Sequence, residues 1–114
     1  MYFRPAQVKD LCLETDLVLE QCFVLENHSG VLGLVSFQEN TITMLHIKEE
    51  YYITFLEMIE EYLFMKYTSI TLLNPLASIN LTEHQWVFHQ TYYTKDKKYF
   101  IDSQYTMIVH QILE

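Results

Sequence analysis

From Thr41 to Leu73 the chain reads strand, helix, strand without a single glycine, and no other feature limits its fold so closely. Thr41–Ile47 has the β-branched and large apolar residues of a strand, a helix is expected from about Thr54 to Met65, and Ser69–Leu73 reads as the next strand. A strand feeding a helix N-terminus is where α/β proteins hold phosphorylated cofactors, through unpaired backbone N–H groups and the helix dipole. Glycine is what lets such a backbone approach a phosphate. The place is therefore present here without its usual chemistry.

The 114 residues suffice for one domain with a single core, and half of them are hydrophobic. Nine Tyr, seven Phe and one Trp supply large buried anchors, while two Gly and two Pro leave few sharp turns for a ligand loop. A formal charge of −8 opposes broad contact with nucleic acid or an anionic membrane and favours a basic or neutral partner. Met1-Tyr-Phe-Arg-Pro5 lacks a signal peptide's apolar stretch, and no run reaches the roughly 18 apolar residues that span a bilayer, so a cytoplasmic protein is expected. In that reducing compartment Cys12 and Cys22 are expected as free thiols.

Tyr2-Phe3-Arg4 reads as a first strand closed by Pro5, followed by a short helix or broken turns over Ala6–Leu19. Cys22–Glu26, a turn over Asn27–Gly30 and Val31–Phe37 make a hairpin, and Gln38–Asn40 turns the chain into Thr41–Ile47. The central helix buries Phe55, Met58, Ile59, Tyr62 and Leu63 and turns Glu57, Glu60 and Glu61 outward, with Thr54 and Glu57 as its capping box. A second helix is expected from Thr82 through Trp86 and Phe88 to near Tyr92. Lys95–Lys98 is then a solvated turn between closing strands at Lys98–Ile101 and Tyr105–Leu113.

This order of elements resembles the GNAT superfamily of acyl-CoA N-acyltransferases over nearly the whole chain. Tyr2-Phe-Arg-Pro-Ala6 with Asp10-Leu11 looks like that family's opening strand and helix start. Val31-Leu-Gly-Leu-Val-Ser-Phe37 looks like its strand after the hairpin turn, and Leu45-His-Ile-Lys-Glu-Glu-Tyr51 is similar to its fourth strand and the step into the cofactor loop. The resemblance implies a single α/β domain, α+β in the sense of a mixed, mostly antiparallel twisted sheet of about six to seven strands with two main helices. It also implies acetyl-CoA as cofactor, held by position at Leu45, Ile47, Tyr52, Ile53 and Thr54.

Family members hold the pyrophosphate with a loop of the form Arg/Gln-x-x-Gly-x-Gly/Ala. Here those positions fall on Tyr52, Phe55 and Glu57, and the turn is shortened. Glu49, Glu50 and Glu57 would set carboxylates near a dianion, a repulsion of about 1 kcal/mol per close pair in water. The family's general-acid tyrosine corresponds to the Val87-Phe88-His89 turn, which leaves Tyr92, or Tyr93 beside it, as the substitute proton donor. His46 near the end of the fourth strand is the candidate general base for an amine, because an unperturbed imidazole titrates near neutral pH.

His28, His46, His84, His89 and His110 show no metal-ligand spacing, so no metal site is expected. The Tyr92–Phe100 stretch interleaves aromatics with lysines, yet at this net charge it reads as a hairpin end rather than a nucleic-acid strip. The functional expectation is an acetyltransferase-fold protein with weakened or lost acetyl-CoA catalysis, acting as a binding or regulatory module on a protein partner. An active N-acetyltransferase and a ligand-free homodimer remain the alternatives.

Overall fold

The computed structural model describes residues 1–11, 17–73, 75, 78–89 and 91–100. Strands β1 (Tyr2–Pro5), β2 (Cys22–Asn27), β3 (Gly30–Gln38), β4 (Thr41–Ile47), β5 (Ser69–Leu73), β6 (Val87–His89) and β7 (Tyr92–Asp96) form one sheet in the order β1-β2-β3-β4-β5-β7-β6. Every neighbouring pair is antiparallel except β4 and β5, which run parallel and are joined by the one long helix, α1 (Glu49–Phe64). The expected α+β class and the mostly antiparallel sheet are present. Among the described residues there is one main helix, not the expected pair.

Local chemistry accounts for the meander of β2, β3 and β4. The first turn is set by Asn27, whose side-chain oxygen accepts the Ser29 N–H at 2.8 Å, and by Gly30, which takes a φ of 128° that a side chain would resist. The second turn places Glu39 at φ 54°, a left-handed conformation costly for a residue with a Cβ. Asn40 then ties the meander to β5: its Nδ2 donates to the Ser69 carbonyl at 3.1 Å, and its own carbonyl accepts the Thr71 N–H at 3.0 Å.

Gly33 stands opposite Ile47 in the β3–β4 register, and the Ile47 side chain lies across it. A Cβ on residue 33 would stand 2.7 Å from Ile47 Cδ1 and 2.8 Å from its Cβ, too close for any rotamer change alone to relieve. Gly33→Ala should therefore destabilise the protein by about 1–3 kcal/mol, read as a lower urea midpoint at an unchanged slope.

α1 buries Tyr52, Phe55, Leu56, Ile59, Glu60, Leu63 and Phe64, a stripe at the helical period that packs on Leu25, Val35, Phe37, Ile42, Ile70 and Leu72 of the sheet. Its start lies one turn before the expected Thr54. Lys48, in an extended conformation, is the N-cap, and Glu49 and Glu50 occupy the first turn, where carboxylates meet the positive end of the dipole. Thr54 thus sits inside the helix and makes no capping box with Glu57.

On the opposite face a smaller cluster gathers Ala6, Cys22, Val24 and Leu34 beneath short 3-10 turns at Val8–Leu11 and Leu19–Gln21. Cys22 is a buried free thiol that donates to the Val18 carbonyl at 3.3 Å. Arg4 pins the first turn, pairing with Asp10 at 3.0 Å and Glu26 at 3.0 Å.

The expected second helix is replaced by a 3-10 turn, Leu81–His84, and strand β6, the edge strand among the described residues. Gln85 ends the turn in the left-handed region, at φ 69°, Leu81 and Trp86 are both buried, and the chain continues as strand from Val87. Lys95 and Asp96 belong to β7 rather than to a solvated turn, and Lys97–Tyr99 is a 3-10 turn rather than the start of a strand. The expected strand at Tyr105–Leu113 lies outside the described residues, as does Cys12.

Candidate functional site

The β4–α1 corner is built by the one parallel pairing among the described strands. β4 and β5 are in register at Thr41 with Thr71 and at Ile42 with Leu72, and no further. β4 runs on to Ile47, so from Thr43 onward its edge facing β5 has no strand partner among the described residues. The notch thus opened lies at the C-terminal ends of two parallel strands, where open α/β sheets take ligands.

The structure distributes the expected site residues unevenly around this corner. Leu45 and Ile47 are half-buried and pack into the α1 side of the sheet. His46 alternates with them, is exposed and therefore faces away from α1. Tyr52 is buried in the core, Ile53 is half-buried at the edge of a cleft, and Thr54 is exposed. Tyr92 is on strand β7 rather than on a helix, opposite Leu73, with its ring stacked 5.0 Å from that of His89. β5 stands between the strands of His46 and Tyr92.

The passage from β4 to α1 is a single residue, Lys48. There is no loop to wrap a diphosphate. The exposed carboxylates of Glu49 and Glu50 follow at once, next to the N–H groups that an anion would need.

Beside this corner, a cleft of about 190 Å³ runs along α1 from Ile53 to Glu60 and is closed by the Leu81–His84 turn, Lys95 and Phe100. Glu60, 2% exposed, and Lys95, 6% exposed, form an ion pair at its floor. The Lys95 ammonium is also 6.0 Å from the ring centroids of Trp86 and Phe100. Burial pushes the Glu60 carboxyl up to about 7, the hydrogen bond and charge of Lys95 oppose that rise, and the nearby Glu57 adds to it. A buried carboxyl that titrates near neutrality in a cleft has the electrostatics of a functional group.

Sequence reasoning turned Glu60 outward and placed Lys95 in solvent, so it missed this pair. The signal was nonetheless in the spacing: Leu56, Glu60, Leu63 and Phe64 fall at i, i+4, i+7 and i+8, one face of a helix. Lys95 likewise alternates with Tyr93 along a strand.

Among the described residues, no three His, Cys, Asp or Glu side chains gather as metal ligands, and no helix is long and apolar enough to cross a membrane. Comparison with family models, curated proteins and solved structures finds no match to this chain.

Proposed function

We propose that this chain is a binding or regulatory module on an acetyltransferase-like scaffold, with weakened or lost acetyl-CoA catalysis. The scaffold reading is supported by the antiparallel meander, the parallel β4–β5 step around α1 and the antiparallel β6–β7 addition. The observation that carries the loss of catalysis is the single-residue link into Glu49 and Glu50 at the head of α1. A diphosphate there would meet two carboxylates, each close pair costing about 1 kcal/mol in water and more when shielded from it. The cleft over Glu60 and Lys95 is the module's ligand site, a concave surface with convergent polar groups and a perturbed carboxyl.

One observation favours the active-enzyme reading. The free edge of β4 beyond Ile42 offers backbone N–H and C=O groups that the amides of a pantetheine arm would satisfy. Thermal melting with millimolar acetyl-CoA separates the two. No shift is expected, whereas a ligand at a hundred times its Kd would stabilise by about 2.7 kcal/mol and raise Tm by several degrees. Such a rise would end the non-catalytic reading. A shift with phosphate-free acetyl-pantetheine alone would place the arm in the notch while leaving the diphosphate unheld. Melting that depends on protein concentration and ignores both compounds would instead favour the ligand-free homodimer.

A further inference from the structure

A second cleft, of about 350 Å³, lies at the other end of α1 and belongs to none of the chemistry above. Its lining includes the rings of Phe37, Tyr62 and Tyr67 and the carboxylates of Glu20 and Glu39. We propose that this cleft binds an alkylated ammonium group, an organic cation of the choline or trimethyl-lysine kind, between the Tyr62 and Tyr67 rings, backed by the buried Phe37 ring, and the two carboxylates.

The rings are held in advance of any ligand. Tyr62 is 38% exposed, yet its ring packs 4.8 Å from Phe23 and 5.7 Å from Phe37, and Phe23 and Phe37 stack at 5.3 Å. A solvent-facing aromatic anchored on two neighbours presents its surface at little entropic cost. Aromatic faces carry the negative side of the ring quadrupole and attract cations. Tyr67 already does so: the ammonium of Lys66, itself part of the lining, sits 5.5 Å from its centroid.

The surrounding charge points the same way. α1 ends at Phe64 with no basic residue in its last turn, so among the residues lining the cleft only Lys66, two positions further on, offsets the negative end of its dipole. Glu20 and Glu39 are both exposed at the rim, where they attract a cation without burying charge. The whole chain carries −8. An alkylated cation fits the ring faces better than a bare ammonium, since against them a bare ammonium would surrender water and keep only the rim carboxylates as acceptors, whereas methyl groups have no hydrogen bonds to lose.

The test is a titration of the full chain with choline chloride, followed by the backbone amide NMR signals of Phe37, Glu39, Lys66 and Tyr67. Potassium chloride at equal ionic strength and the uncharged carbon isostere of choline are the controls. Saturable shifts are expected with choline, with binding of the isostere weaker by about tenfold. Glu39→Gly relieves the left-handed backbone and should melt no lower than the parent, yet weaken choline binding by about threefold or more. Lys66→Met removes the resident cation and should tighten it. Equal responses to choline and its isostere, shifts reproduced by potassium chloride, or unchanged affinity in Glu39→Gly would each overturn the proposal. Peptides carrying trimethyl-lysine and plain lysine identify the source: preference for the trimethylated peptide over choline assigns a protein ligand, the reverse assigns a small molecule, and equal binding of the two peptides refutes the alkyl requirement.

Discussion

Lys95→Met should destabilise the protein by about 3–5 kcal/mol at pH 8, because it strands the Glu60 carboxylate in the core. The penalty is expected to shrink near pH 5. Glu60 is held up to about 7 by burial, against an ordinary value of 4.5, so between those values the folded chain keeps a proton that the unfolded chain has released. Stability from this group therefore falls as pH rises from 4.5 to about 7 and is level above it. Losing the lysine raises the carboxyl further and extends the fall to higher pH. In the double variant Glu60→Leu with Lys95→Met, apolar packing replaces the pair, and stability should return to the parent value or exceed it while this pH dependence vanishes. Denaturant melts at pH 5 and pH 8 decide the matter; a single variant that loses under about 1 kcal/mol at both would mean that the pair is solvated and unimportant.

The second large effect concerns Phe55, which is fully buried at the centre of the α1 stripe with its ring 6.0 Å from Phe3 at 70°. Phe55→Ala should cost about 3–5 kcal/mol, the transfer energy of a benzyl group plus the cavity left between α1 and the sheet. Phe88 supplies the comparison. It is 56% exposed on the edge strand, and Phe88→Ala should change stability by about 0.5 kcal/mol or less. Equal losses in the two variants would show that the Phe55 environment collapses around the gap instead of supporting the helix.

Where local rules and burial agree, the sequence was sufficient. β4 and β5 begin and end where their residues predict, and the β2–β3 hairpin closes on Gly30 as its turn residues demand. Two local rules failed, for different reasons. The helix expected from Thr82 was outweighed once Gln85 adopted the left-handed conformation and Trp86 turned into the core. The Thr54 to Glu57 signal lost to the earlier start favoured by Glu49 and Glu50. The site was harder to read than the fold. A glutamate and a lysine separated by 35 positions reveal their partnership only when α1 lies against β7, and charge alone argued that both should be wet. The aromatic cleft was hidden similarly, since Phe37, Tyr62 and Tyr67 come from a strand, a helix and the segment after it.

The short parallel register at Thr41–Ile42 has a mechanical consequence. It divides the sheet into a four-strand half, in which tight turns join β2, β3 and β4, and a three-strand half attached through two residue pairs, the Asn40 contacts and α1. The first half gathers neighbours along the chain and forms early, whereas the second waits for the helix to carry the chain across. The seam between them is the line along which the molecule opens before it unfolds, and amide hydrogens of β5 and β7 should exchange sooner than those of β2 and β3.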